Sequence, residues 1–302
     1  MGKINQLTKI LAIGSVIFGS VGLPANALAA SQPSMIFASD RDGSVEIYSS
    51  ARDGSNMKRL TNNTTDEQEP AISPYGRKII FTKSDEQSDS SISLLDVETG
   101  AIASILEKAG TQYQAPSWSP DGKYIAYSFT EGQPEFHSCI AIFAIASGNT
   151  NKVSCSDKAL IAPSWSPDSQ KLIFTQFVVA TGGDLYTVNA FNGKDRQYLR
   201  SGFYGVFSPA GDKIAYSARD SNYTNQVFVA DASGLNPQQI TTDADIHTVA
   251  DWAQDGYITY TNVTPGTWQF QVKSTKSNGS GTLTIPQKIP GTMDWPGKGL
   301  LW

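Results

Sequence analysis

Two stretches of the chain are near copies of one another: "APSWSPDGKYIAYS" at residues 115–128 and "APSWSPDSQKLIFT" at residues 162–175. Each reads as a tight turn between two strands. In the first copy Pro120 presets its backbone angle, Asp121 offers a side-chain cap, and Gly122 reaches angles closed to most residues. The large apolar residue two places before the turn proline is a marker that can be followed along the chain. It falls at Ile72, Trp118, Trp165, Phe207, Trp252 and Trp295, at intervals of 46, 47, 42, 45 and 43 residues.

Behind every marker but the last comes the same order of events: a turn, an apolar strand, a loop, an alternating strand, a second turn and a short strand. After Trp118 these are "SPDG", "KYIAYSF", "TEGQPEFHS", "CIAIFAI", "SGNT" and "NKVSC"; after Phe207 they include "SPAG", "DKIAYSAR", "QVFVADA", "SGLNP" and "QQITT". Counting the strand that carries the marker, each unit holds four short antiparallel strands. Repeated radially, units of about 45 residues make a β-propeller, whereas solenoids of this period are mostly helical. Beyond the first thirty residues no segment has the period of an amphipathic helix. Burying a tryptophan ring in the wedge between blades contributes roughly 1.5–3 kcal/mol or more, which explains why the phrase recurs.

Residues 1–29 read as a cleaved secretory signal: Lys3 and Lys9 precede an apolar run, Ile10 to Val21, that is short for a membrane span, and "ALA" ends at Ala29. Residues 30–302 are then one propeller domain of 273 residues, or 45.5 per blade for six blades, and loss of the two lysines takes the net charge from −5 to −7. The mature chain opens at "MIFASD", which matches a second strand, and ends at "MDWPGKGLLW", which matches a first strand. One blade is therefore expected to be shared by the two termini, which removes a free sheet edge. The acidic balance argues against nucleic acid or an anionic lipid surface as the partner.

The stretch "IFASDRDGSVEIYSSARDGSNMKRLTNN", then "EPAISPYGRKIIFTKS" and the two "PSWSPD" copies, resembles the TolB-like propeller repeat family over essentially the whole mature chain. The resemblance implies a six-bladed propeller and an envelope or secreted setting. It does not imply the separate domain that precedes the propeller in TolB itself, since the first strand is expected a few residues after Ala29. Nor does the repeat fix an activity, because it occurs in binding proteins, transporter accessories and peptidases alike.

The chemical inventory is short. The two histidines, His137 and His247, are both expected in loops, and no nucleophile elbow, zinc-protease or paired-cysteine motif occurs. "SDRDG" at 39–43 and "ARDG" at 51–54 lack the oxygen spacing of a calcium loop and read as turns, so neither a metal nor a cofactor is expected. Cys139 and Cys155 lie near opposite ends of one hairpin and are expected to form a disulfide in an oxidising compartment, with a pair of buried thiols as the other reading.

Recognition is expected on the rim that carries the irregular loops, opposite the rim of the repeated turns. Around the channel mouth on that rim fall Asp66, Glu67, Tyr113, Phe203, Tyr204, His247 and Met293, a mixture of acids and rings suited to a basic or amide-bearing polypeptide. The first reading is therefore a monomeric, non-enzymatic scaffold in the periplasm or outside the cell that grips an envelope or secreted protein and does not span the membrane once its signal is cleaved. The alternative is a glycan hydrolase or lyase using channel-mouth carboxylates, for which Asp251 and Asp294, one residue before their markers, are the pair expected to point alike from adjacent blades. A third reading is a small ligand or cation held in the channel for a structural purpose.

Overall fold

The computed structural model describes residues 35–51, 53–84, 89–131, 137–178, 182–266, 269–284 and 294–296, with only the backbone described at 269 and 294–296. Within these residues the chain is all β, with no helix, and forms six sheets of four strands. Blade 1 pairs Asp294–Pro296, Met35–Ser39, Glu46–Ser50 and Lys58–Arg59 in that order. Blades 2 to 6 follow the chain from their innermost strands outward, and those innermost strands are Asp66–Ile72, Thr111–Trp118, Leu160–Trp165, Phe203–Phe207 and Ile246–Trp252. All neighbouring strands are antiparallel, as connection by tight turns requires.

The apolar core lies between blades. Six buried clusters each bridge one junction: Ile36 and Ile47 meet Ile72 and Phe81 between blades 1 and 2, and Met35 and Phe37 meet Ala253 and Val272 where blade 6 closes on blade 1. Each second strand is covered by both neighbours, so it reads as a continuous apolar run such as "KIIFT" or "KLIFT". The tryptophans fill the expected wedge and also bind across it. The Trp118 indole N–H donates to the Ala71 carbonyl at 3.1 Å, and that of Trp165 to the Ser117 carbonyl at 3.2 Å, each in the preceding blade.

The repeated turn closes on its serine. The Ser119 hydroxyl accepts the Tyr124 N–H at 2.9 Å and donates to Asp121 at 2.6 Å, while Gly122, at φ +70°, donates its N–H to the Ser119 carbonyl at 2.8 Å. In the second copy Ser169 stands in the glycine place at φ +59°. Its hydroxyl accepts the Asp121 N–H of the neighbouring blade at 3.2 Å, a contact glycine could not make.

Two sequence expectations meet the structure differently. Cys139 and Cys155 are direct partners across the outer strands of blade 3 and are disulfide-bonded, with Cα atoms 4.1 Å apart. The closing blade is shared by the termini as expected, but its register differs. Elsewhere the marker pairs two residues before the central aromatic of the second strand, as Trp118 pairs Ile125 ahead of Tyr127. Trp295 instead pairs Ala38, just past Phe37. No turn joins these two strands, so nothing ties Pro296 to the turn position. It lies opposite Phe37, in the place of the strand prolines Pro70, Pro116 and Pro163.

Candidate functional site

The innermost strands of blades 2 to 6 each carry a bulge. In four of them the bulge holds a non-glycine residue in the left-handed region, always three before the marker: Glu69 (φ 52°), Ala115 (49°), Ala162 (54°) and Tyr204 (54°). Each such residue costs about 1–2 kcal/mol, so neighbouring structure must hold it there. In two of them a side-chain oxygen from the preceding blade helps do so: Tyr204 N–H donates to Thr175 Oγ1 at 2.9 Å, and Ala115 N–H donates to Glu69 Oε2 at 2.6 Å. Val249 N–H makes the matching bond to Ser217 Oγ at 2.8 Å.

These strained residues line a channel cavity of about 290 Å³, with Gln68, Thr248 and Thr261 also on its wall. Its one carboxylate among the described residues is Glu69, which is exposed and also accepts the Thr82 hydroxyl at 2.9 Å. Tyr204 is half-buried, and burial, followed by the nearby charge of Glu69, raises its phenol pKa above the ordinary value, so the phenol stays protonated as a donor. An acid, a phenol and backbone held out of its relaxed geometry converge on one concave surface, which suits a cationic or amide-bearing group.

A second concavity of about 500 Å³ opens on the turn face. It is ringed by Pro74, Pro120, Pro167 and Pro209, with Trp118, Trp165 and Trp252 beneath, and Asp251 is its one carboxylate among the described residues. Asp251 pairs Thr259, one residue before Tyr260, whereas Asp294 pairs Ser39, two beyond the equivalent Phe37. The two aspartates therefore stand three positions apart along their blades rather than at matching places. Each cavity presents a single acid among the described residues. The described residues also hold no group of three or more side chains able to bind a metal ion.

Of the expected rim residues, Tyr204 lines the channel cavity and Asp66 is exposed, its carboxylate accepting the Val45 N–H at 3.1 Å. Tyr113 and Phe203 are both 8 % exposed; the first packs on Tyr127 and Phe129, the second against Tyr204. Met293 lies outside the described residues. Glu67 and His247 are buried at equivalent places, each pinning the loop that leads into its innermost strand. Asn63 Nδ2 donates to Glu67 Oε1 at 2.7 Å, and His247 Nε2 lies 2.6 Å from Asp243 Oδ1 with its ring edge-on to Tyr260. Alternation along the strand explains this: Asp66 points out, so Glu67 points in.

Burial has opposite consequences for these two groups. It raises the Glu67 pKa above 4.5 and leaves Oε2 without a hydrogen bond, and it lowers that of His247 below 6.5 despite Asp243. The folded state thus favours protonated Glu67 and neutral His247. The His247 contribution is lost as pH falls below about 6.5, while the Glu67 contribution is lost as pH rises through its elevated folded pKa. Glu67→Gln is therefore expected to stabilise the protein at pH 7 by the order of 1 kcal/mol, a gain that vanishes near pH 4 in thermal melts.

Glu69 is not among the residues expected at the channel mouth from the sequence; the signal that it belongs there is its place, three before a marker, shared with Ala115, Ala162 and Tyr204.

The fold and its channel define a six-bladed propeller with a cavity at its centre. The chain belongs to the TolB beta propeller domain family, whose sequence pattern matches residues 27–136 and 100–289. It is 26% identical over 171 residues to a TolB homolog of Chlorobium luteolum, covering 56% of this chain and 34% of that protein. The chain thus spans about a third of the length of that relative. Among solved structures it superposes on TolB from Acinetobacter baumannii with a TM-score of 0.71 at 18% identity, covering 88% of this chain and 67% of that one. It also superposes on an oligogalacturonate lyase from Vibrio parahaemolyticus with a TM-score of 0.60 at 13% identity, covering 83% and 74%. At these identities both likenesses are of fold.

Proposed function

We propose that the chain is an exported, non-catalytic propeller that binds a polypeptide in the periplasm or cell envelope, gripping it at the channel mouth around Glu69 and Tyr204. The observation that carries the reading is an exposed carboxylate beside a phenol and strained backbone in one cavity. A lysine, arginine or free amino terminus would pair with Glu69, and the Tyr204 hydroxyl would donate to a peptide carbonyl. Family membership and the TolB relatives support an envelope setting, and the leader-like residues 1–29 support export. No helix among the described residues is long and apolar enough to cross a membrane.

Tyr204→Ala and Glu69→Gln are each expected to weaken partner binding about tenfold or more, as loss of a central aromatic or a buried charge pair does at other interfaces, measured by pull-down and calorimetry on the captured protein. Pro120→Ala on the turn face should leave binding within about twofold, equivalent to a few tenths of a kcal/mol. Equal loss from both faces would contradict the assignment.

The fold likeness to an oligogalacturonate lyase keeps glycan cleavage as a second reading. Polysaccharide turnover by the purified protein, abolished by Asp251→Asn, would favour it over the scaffold.

A further inference from the structure

Blades 3 and 4 meet on the turn face through three rings. Tyr124, Trp165 and Phe191 pack together, with Phe191 centred 5.1 Å from Tyr124 and 6.4 Å from Trp165, and Phe191, 37 % exposed, sits on top as a plug. The next junction, between blades 4 and 5, is built on the same frame without them. Ala190 N–H donates to the Gln170 carbonyl and Ala232 N–H to the Asp212 carbonyl, both at 2.9 Å, which makes the residues after them, Phe191 and Ser233, equivalent. The glycines that follow face equivalent carbonyls, Gly193 that of Val153 and Gly234 that of Leu199, but Gly193 comes two residues after Phe191 and Gly234 one after Ser233, so the second loop is one residue shorter and has no ring to lay over the junction. By the same frame Lys171 replaces Tyr124 and Phe207 replaces Trp165. The result is a cleft of about 480 Å³ lined by Lys171, Thr187, Leu199, Phe207 and Ser233, with Asp168 at its edge.

We propose that this cleft is a docking site for an aromatic side chain presented by a partner polypeptide. The occupant is indicated by the sister junction, where the same frame closes over a phenyl ring attached to a peptide backbone. There Asn151 Nδ2 donates to the Phe191 carbonyl at 3.2 Å. Gln197, which lines the cleft and takes the place of Asn151 on the fourth strand, carries the same amide donor for the carbonyl of an incoming residue. Leu199 and Phe207 supply apolar surface for the ring, and Lys171 can reach its face. The site lies apart from the Glu69 and Tyr204 mouth and extends the scaffold reading to a second contact.

The test is an NMR titration of the mature protein with N-acetyl-tyrosinamide and N-acetyl-phenylalaninamide, against N-acetyl-leucinamide and N-acetylglucosamine. Saturable amide shifts are expected at Lys171, Leu199, Gly211 and Ser233, with affinity for the aromatic amides about fivefold or more above the leucine amide, a difference of about 1 kcal/mol. Ser233→Phe restores the missing plug and is expected to weaken the tyrosine amide about tenfold, and Lys171→Tyr, which refills the opposite wall, should do the same. Absence of saturable shifts at the cleft, an equal response to N-acetylglucosamine, or unchanged affinity in both variants would overturn the proposal. None of these outcomes bears on Glu69 and Tyr204, whose partner binding is read separately.

Discussion

Replacing Trp165 by alanine is expected to destabilise the propeller by about 3–5 kcal/mol, the range for removing a large buried ring from a packed core. The side chain is 6 % exposed, packs against Tyr124 and Phe191, and donates its indole N–H to the Ser117 carbonyl of the preceding blade. Alanine would remove the ring, leave a cavity and take away a buried carbonyl's partner at the same time. Trp165→Phe is the informative control. Phenylalanine occupies the equivalent place at Phe207, so the frame tolerates it, and the cost should fall to about 1–3 kcal/mol for the lost hydrogen bond and the smaller ring. Urea midpoints for the two variants measure both. A loss under about 1 kcal/mol for Trp165→Ala would mean that the blades are held together elsewhere.

The second large effect is expected at the disulfide. Cys139 and Cys155 are 16 residues apart and join the third and fourth strands of blade 3. Closing a loop of this length stabilises by about 3 kcal/mol on the chain-entropy model. The fourth strand, Thr150–Ser156, is the outer edge of its sheet and mostly exposed or half-buried, with Val153 its one buried residue. Cys139→Ser with Cys155→Ser should therefore lower global stability by about that amount. It should also speed amide exchange along Thr150–Ser156 more than in the innermost strand Thr111–Trp118, since edge strands open first. Unchanged exchange at the edge strand would contradict a stapling role.

The features legible in the sequence are those that the duplication repeats. The turn serine, proline and glycine recur because each blade must reverse tightly, and the marker recurs because each wedge must be filled, so strand count and ring closure could be read directly. The cysteine pairing followed from the same hairpin arithmetic. What was not legible is what the repeat hides or breaks. Glu69, Ala115, Ala162 and Tyr204 share a strained backbone angle that no residue type announces, since only glycine or asparagine would flag such a position. Glu67 and His247 are polar residues next to loops, and polarity alone suggested the rim; the strand alternation that buries them is visible only once the register is known. Trp295 followed by Pro296 imitates the turn phrase, but with no turn to join the two strands the pairing is set by the sheet.

The most direct test of the scaffold reading is a photo-cross-linking residue placed at position 204, and separately at position 120, in the protein expressed in its native cells. The account predicts one dominant envelope or secreted protein captured from position 204, lost when Glu69→Gln is added, and no comparable capture from position 120. Capture of the same protein equally from both positions, or an adduct at 204 that is indifferent to Glu69→Gln, would contradict it.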